Sequence, residues 1–161
     1  MIKKISIEIK WALIFVGVSL FWMLIEKWTG LHSTNIDKHS TYTNLMSIPA
    51  VLVYVLALLE KKKNFYEGII TYKQSFISGL IITLIVTIIS PLTQIITSLV
   101  ITPEFFPNII EYSVKTGALT KEAAEQYFSL SNYIIMGLIG APIMGVLTTA
   151  IVSIFVKSSK R

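Results

Sequence analysis

The residues that could do chemistry are few, and the most polar group of them lies inside an apolar run. Ser90, Pro91, Thr93 and Gln94 interrupt a long series of Ile and Leu. A proline removes a backbone donor and can bend a helix, which exposes polar backbone. One hypothesis is a binding site or solute path at this kink; the other is a satisfied kink, with Gln94 hydrogen-bonded to a neighbouring helix. We favour the satisfied kink, because transport sites usually include a membrane-embedded charge and none accompanies this patch.

A second candidate is the polar segment after the first apolar run, which contains His32, Asp37 and His39. Imidazole and carboxylate groups bind zinc. This spacing matches no rigid ligand pair, so we interpret the three as solvated residues of a short flexible loop. We interpret Glu26, which adjoins the first apolar run, as an interfacial side chain that reaches water. Tyr54 is a lone polar group that needs a hydrogen bond. The expectation is therefore no metal and no cofactor.

Enzyme motifs and cysteine chemistry are missing from the sequence. It has no Gly-x-Ser-x-Gly, P-loop or His-Glu-x-x-His motif and no cysteine. The chain is 53% hydrophobic and 14% charged, whereas a soluble domain is about 25% charged. Basic residues cluster at the ends of apolar segments and form no stripe, which argues against nucleic-acid binding. These features favour a membrane protein that is not an enzyme. Its expected partners are membrane lipids, with a membrane-protein partner or a homo-oligomer left open.

The elements that must position these residues are apolar helices. A helix needs about 20 apolar residues to cross a bilayer. The sequence predicts one all-α, polytopic membrane domain over residues 1–161, with a short helical hairpin outside the membrane between the third and fourth spans, at about 103–131. The four predicted transmembrane helices lie at about 11–28, 43–60, 74–101 and 132–156.

The third and fourth spans carry small residues at steps of four. Such stripes allow two helices to approach closely in a membrane. We therefore predict contact between the two, with Pro91 and Pro142 at similar depth. That register would place Thr87 near Gly145, Thr83 near Thr149 and Gly79 near Ser153. The predicted helix-packing residues are Gly79, Thr83 and Thr87 on the third span and Gly137, Ala141, Gly145 and Thr149 on the fourth.

The lysines and the arginine are distributed unevenly between the two ends of the predicted bundle. With both termini cytoplasmic, ten lie inside and four outside, which fits the positive-inside rule. The inner ten are Lys3, Lys4, Lys10, Lys61, Lys62, Lys63, Lys73, Lys157, Lys160 and Arg161, and the outer four are Lys27, Lys38, Lys115 and Lys121.

The sequence resembles a known family over nearly its whole length. The segments Ser-Pro-Leu-Thr-Gln, at the first kink, and Gly-Leu-Ile-Gly-Ala-Pro, in the fourth span, are the most distinctive. They resemble small bacterial inner-membrane proteins that form the domain of unknown function 4199. The resemblance implies four spans and an inner-membrane location, and it implies no activity and no catalytic residue.

These observations favour a non-enzymatic scaffold or accessory component of envelope machinery in the bacterial inner membrane. The basis is the extensive small-residue packing surface and the absence of recognised ionisable groups within the spans. The alternative is a small-solute or lipid transporter or channel that uses the patch from Ser90 to Gln94. A membrane enzyme comes third and would depend on His32 and His39.

Overall fold

The computed structural model describes residues 2–158, with side chains from residue 5 onward, and this part of the chain is helical with connecting turns and no strand. Four stretches are long and apolar enough to span a membrane, as expected for a multi-pass membrane protein: Ile5–Trp28, Ile36–Asn64, Tyr72–Ile101 and Leu130–Val156. The α-helices are α1 (Ile2–Trp28), α2 (His39–Tyr42), α3 (Ser47–Asn64), α4 (Tyr72–Ile96), α5 (Phe105–Lys115), α6 (Lys121–Tyr127) and α7 (Leu130–Val156). The prediction of an all-α, four-span membrane protein is confirmed.

Local signals explain several helix ends. Thr71 and Gln74 form a reciprocal capping box at the start of α4. The side chains of Thr120 and Ser129 each accept a backbone hydrogen bond at the start of α6 and α7. Gly117 follows α5 with φ +70°, a left-handed conformation that glycine adopts without a side-chain clash. These caps fix where the spans and the external hairpin begin.

Three of the four spans differ from a simple apolar rod. The first helix starts at Ile2, within the basic segment that we placed before the span. The second span begins with short 3₁₀ segments on either side of α2 before α3 starts at Ser47. The third ends in a π-helical turn, Thr97–Ile101. For the charge count, Lys160 and Arg161 lie outside the described residues, as do the side chains of Lys3 and Lys4.

The four long helices form a closed bundle. In it, α4 lies between α1 and α7, and α3 contacts both α1 and α7. We call the end that contains residues 5–8, 61–78 and 156–158 the termini end, and the opposite end, with α5 and α6, the hairpin end. The buried core is small, with Ala12, Tyr54, Ala57, Leu58, Ile70, Ile82, Val86, Val152 and Val156 as its members.

The α4–α7 contact is the most extensive in the bundle. A methyl group added at Gly79 would overlap the side chain of Thr149, and one added at Gly145 would overlap Thr83. The predicted register is therefore wrong by one turn. It would have placed two threonines, Thr83 and Thr149, against each other. In the structure each threonine fills the space left by a glycine, so the backbones come close without a steric clash.

The other predicted packing and kink residues lie along the same seam or beside it. Gly137 faces Ser90, since an added methyl group would lie 3.8 Å from the Ser90 hydroxyl oxygen. The carbonyl of Thr87, which loses its donor to Pro91, accepts a hydrogen bond of 2.9 Å from that hydroxyl. Thr87 itself donates to the carbonyl of Thr83 at 2.9 Å. The carbonyl freed by Pro91 is thus satisfied within α4. Ala141 and Pro142 are half-buried in α7.

Candidate functional site

Glu26 is fully buried at the end of α1, although it lies next to the water-facing end of an apolar helix. Trp22, one turn earlier, donates its indole N–H to one carboxylate oxygen of Glu26. Within the described residues no lysine or arginine forms an ion pair with Glu26. The carboxylate therefore has hydrogen-bond donors around it and no permanent cation.

The turn after α1 brings His32 back onto Glu26. Gly30 adopts φ +76°, and its carbonyl accepts from the backbone N–H groups of Ser33 and Asn35. This tight turn places Nε2 of His32 2.9 Å from Oε2 of Glu26. His39, at the start of α2, places its Nδ1 3.7 Å from the same oxygen. We call Glu26, His32 and His39 the hairpin-end cluster.

The external hairpin covers this cluster. The ring of Phe105, in the first turn of α5, lies 5.0 Å from the His32 ring and 4.8 Å from the His39 ring, measured between centroids. Asn108, one turn further along, donates to the His32 carbonyl at 2.8 Å. The hairpin is therefore part of the site and not a detached loop, because it supplies both an aromatic cover and a hydrogen bond.

This arrangement corrects two predictions. Glu26 does not reach water, since its carboxylate is buried and hydrogen-bonded to Trp22 and His32. His32 and His39 are not both solvated loop residues, because His32 is only 4% exposed and His39 is partly buried. Asp37 is exposed, as predicted. The spacing of the two histidines alone did not predict the grouping, since it depends on the Gly30 turn and on the packing of α5.

One small cavity lies at this cluster and another lies at the polar patch from Ser90 to Gln94. One, of about 180 Å³, is bordered by all three cluster residues and by Gln94 and Tyr133. The next, also of about 180 Å³, is bordered by Ser90, Thr93, Gln94 and Tyr133. Because they share two wall residues, they adjoin in the middle of the bundle. Gln94 donates to Ser98 on its own helix at 2.9 Å, not to a neighbouring helix as we expected.

A second buried acid lies at the termini end. Glu8 is 1% exposed, and its carboxylate lies 2.9 Å from the ammonium of Lys61 in α3. Ser78 of α4 donates to the same carboxylate at 2.8 Å, and the Lys61 ammonium lies 3.8 Å from the centre of the Phe65 ring. We call Glu8, Lys61 and Ser78 the termini-end cluster. It ties three helices together with a compensated charge pair.

Ionisable groups are thus present inside the spans, contrary to the absence on which our functional ranking depended. Glu8 escaped notice because the first span was expected to start at Trp11. The four-residue spacing of Trp22 and Glu26 was an available signal, since it places an indole donor beside a carboxylate on one helix face. The chain has only two histidines, and both follow Glu26 closely in sequence. No comparable signal connects Glu8 with Lys61, which is 53 residues away.

Comparison with known proteins adds a family and no activity. The model of the family described as "Protein of unknown function (DUF4199)" matches residues 10–158. No curated protein and no solved structure matches the chain.

Proposed function

This chain belongs to the DUF4199 family of proteins of unknown function, and on that premise we propose that it is a non-enzymatic membrane carrier for a small cation. The observation that carries the proposal is the buried Glu26 carboxylate, which borders a cavity that shares Gln94 and Tyr133 with a second cavity at Ser90 and Thr93. Ionisable side chains inside a membrane bundle are costly and typically mark solute or ion pathways.

The size of these two cavities favours an ion over a drug-sized organic solute, although Glu26 also borders a third, mostly apolar cavity of about 340 Å³. Each of the two encloses about 180 Å³, whereas pockets for drug-sized ligands occupy about 300–1,000 Å³. Ser90, Thr93 and Gln94 provide oxygen atoms along the wall, which suit a partly hydrated ion. The carboxylate of Glu26 supplies the negative charge that a cation requires.

The second candidate is the non-enzymatic scaffold or accessory component of envelope machinery. The close α4–α7 seam favours it, because a rigid helix pair is useful for assembly without any solute. Purification in mild detergent, followed by identification of co-purifying proteins and lipids, tests this candidate. Reproducible recovery of the protein alone would count against a scaffold.

Water access to the kink separates the two candidates, and the cysteine-free chain allows a clean test. Thr93 borders the cavity beside Gln94, whereas its neighbour Leu92 is 58% exposed on the apolar outer surface. In vesicles, Thr93→Cys should react with a small membrane-impermeant thiol reagent and Leu92→Cys should not, because the reactive thiolate needs water. Equal lack of reaction would favour the scaffold.

Cation uptake tests the carrier directly. Vesicles that contain the protein and an ion-sensitive dye are exposed in turn to K⁺, Mg²⁺ and Co²⁺. At least one ion should enter faster than in protein-free vesicles, and Gln94→Leu should reduce that rate while helical content is retained. Uptake equal to that of protein-free vesicles for all three ions would overturn the proposal.

The proposed location is the bacterial inner membrane with both termini cytoplasmic. Its basis is the excess of lysine and arginine at the end of the bundle where Lys61, Lys62 and Lys63 lie. Single cysteines at Lys62 and Lys115, labelled from outside intact cells, test the orientation. Only the cysteine at position 115 should react.

A further inference from the structure

The geometry points to a site for a divalent transition-metal ion such as Zn²⁺, held by Glu26, His32 and His39. One nitrogen or oxygen from each of the three lies within 4.8 Å of the others. The inference rests on the proposed carrier function only where it identifies the carried cation as a transition-metal ion. The metal site itself can be tested by binding alone.

The distances fit a metal ion of this size. Zinc bonds to nitrogen and oxygen at about 2.0–2.1 Å in tetrahedral geometry, so neighbouring ligands lie about 3.3 Å apart. The observed separations from Oε2 of Glu26 are 2.9 Å to His32 and 3.7 Å to His39, on either side of that value. Small side-chain rotations would therefore bring the three atoms around one ion.

A simple acid–imidazole hydrogen bond explains only part of the cluster. It explains the contact between Glu26 and His32. Among the described side chains, however, Nδ1 of His32 and Nδ1 of His39 are buried without a hydrogen-bond partner. His32 is more than nine-tenths buried, and both rings border the cavity. Buried polar atoms normally have partners. Nδ1 of His39, the atom that faces Oε2 of Glu26 at 3.7 Å, has none, which indicates a missing ligand. The contact of His32 with Glu26 is through its other nitrogen, Nε2, so its Nδ1 adds no support for this ligand.

The donor set selects the class of ion. Imidazole nitrogen suits zinc, copper, iron and nickel, whereas magnesium and calcium prefer oxygen donors. Two imidazoles and one carboxylate leave a coordination position open toward the cavity, where Ser98 and Thr102 also lie. The Trp22 indole orients the second carboxylate oxygen, as outer partners of metal ligands commonly do.

The sequence makes the binding test unusually clean. The chain has two histidines and no cysteine, so every imidazole ligand must come from this site if the affinity tag contains no histidine. Metal-free protein in detergent is titrated with Co²⁺, read by its visible absorption, and then with Zn²⁺ by calorimetry. We expect one ion per chain and a tetrahedral Co²⁺ spectrum.

Matched variants identify the ligands. Glu26→Gln and His39→Asn should each weaken Co²⁺ binding by about 100-fold or more, since even outer-partner mutations cost 10–100-fold. Glu111→Gln, which alters an exposed carboxylate on α5 at the same end, should bind like the wild type. Because His39 is less buried than His32, His39→Asn tests the ligand role even if His32→Asn fails to fold.

The outcomes separate this inference from the carrier proposal. A folded wild-type protein without Co²⁺ binding, or binding that survives both Glu26→Gln and His39→Asn, would overturn the metal site and leave an acid–imidazole hydrogen bond only. Binding in detergent without uptake into vesicles would keep the metal site and reject the carrier. Metal-dependent hydrolysis of an added ester or peptide would replace the carrier with an enzyme while keeping the site.

Discussion

The bundle buries one acid near each end, and the two acids have different partners. At the termini end, Glu8 has a lysine at 2.9 Å and a serine donor. At the hairpin end, Glu26 has two histidines and an indole but no lysine or arginine among the described residues. The first cluster is complete as it stands, whereas the second retains buried nitrogen atoms without partners.

This difference assigns a structural role to the termini-end cluster and a binding role to the hairpin-end cluster. A compensated buried ion pair joins helices, and because its charged groups already have partners it does not need a ligand. An acid beside two imidazoles can accept a metal ion, because carboxylate oxygen and imidazole nitrogen are both metal ligands. The contrast therefore predicts that the termini-end cluster controls stability and that the hairpin-end cluster controls binding.

The largest expected effect is the loss of the cation at the termini end. Lys61→Met leaves the Glu8 carboxylate buried with only the Ser78 hydroxyl, and should lower the free energy of unfolding by about 3–5 kcal/mol. Denaturant titration in mixed micelles measures it. The double variant Glu8→Gln, Lys61→Met should recover most of that loss.

At the hairpin end, Glu26→Gln should lower the free energy of unfolding by less than about 1 kcal/mol. The glutamine oxygen can still accept the hydrogen bond from Trp22, and the substitution removes a buried charge. Equal losses for Lys61→Met and Glu26→Gln would abolish the contrast.

The next effect is stabilisation by metal, confined to the hairpin end. At 100 times its dissociation constant, Zn²⁺ should raise the free energy of unfolding by about 2.7 kcal/mol, since it binds only the folded state. The same increase is expected in the Glu8→Gln, Lys61→Met double variant, whereas Glu26→Gln should show none. Thermal unfolding with and without chelator measures the shift. An increase that depends on Glu8 would place the metal at the wrong end.

The architecture was predictable because it depends on local and additive properties. Apolar runs of sufficient length define spans, and small residues at four-residue steps mark faces where helices approach. Neither property fixes the axial register of two helices. In the observed register a glycine on one helix faces a threonine on the other: Gly79 lies against Thr149, and Gly145 lies against Thr83. This pairing depends on both helices together and cannot be read from either stripe alone.

The candidate site was harder to predict because its residues are assembled by tertiary structure. His32 and His39 were considered together with Asp37 as possible zinc ligands and interpreted as solvated loop residues, and Glu26 was interpreted separately as an interfacial group. Their burial requires the positive φ of Gly30 and the cover of Phe105, which follows 66 residues after His39 in the chain. The polar kink from Ser90 to Gln94 was identified from its composition, but its position beside the cluster depends on how α1, α4 and α7 pack.

A smaller effect is expected at the seam between the two clusters. Gly145→Ala places a methyl group against the Thr83 side chain and should lower the free energy of unfolding by about 1–3 kcal/mol through overpacking. Gly140→Ala is the control, because no heavy atom lies within 4 Å of the added methyl group, and should change it by about 0.5 kcal/mol or less. Co²⁺ affinity should stay unchanged in both. Weaker metal binding in Gly145→Ala alone would show that the seam positions the cluster.

The smallest effect on stability should come from the hydrogen bond between α5 and the hairpin-end cluster. Asn108→Ala removes the donor to the His32 carbonyl and should cost about 0.5–1.5 kcal/mol. It should also weaken Co²⁺ binding by about tenfold, because outer partners orient metal ligands. Asn44→Ala is the matched control, since the Asn44 amide bonds only locally to the Ser40 carbonyl and should leave Co²⁺ affinity intact. If Asn108→Ala and Asn44→Ala bind Co²⁺ equally well, α5 covers the cluster without positioning it, and the termini and hairpin ends differ only in their charge partners.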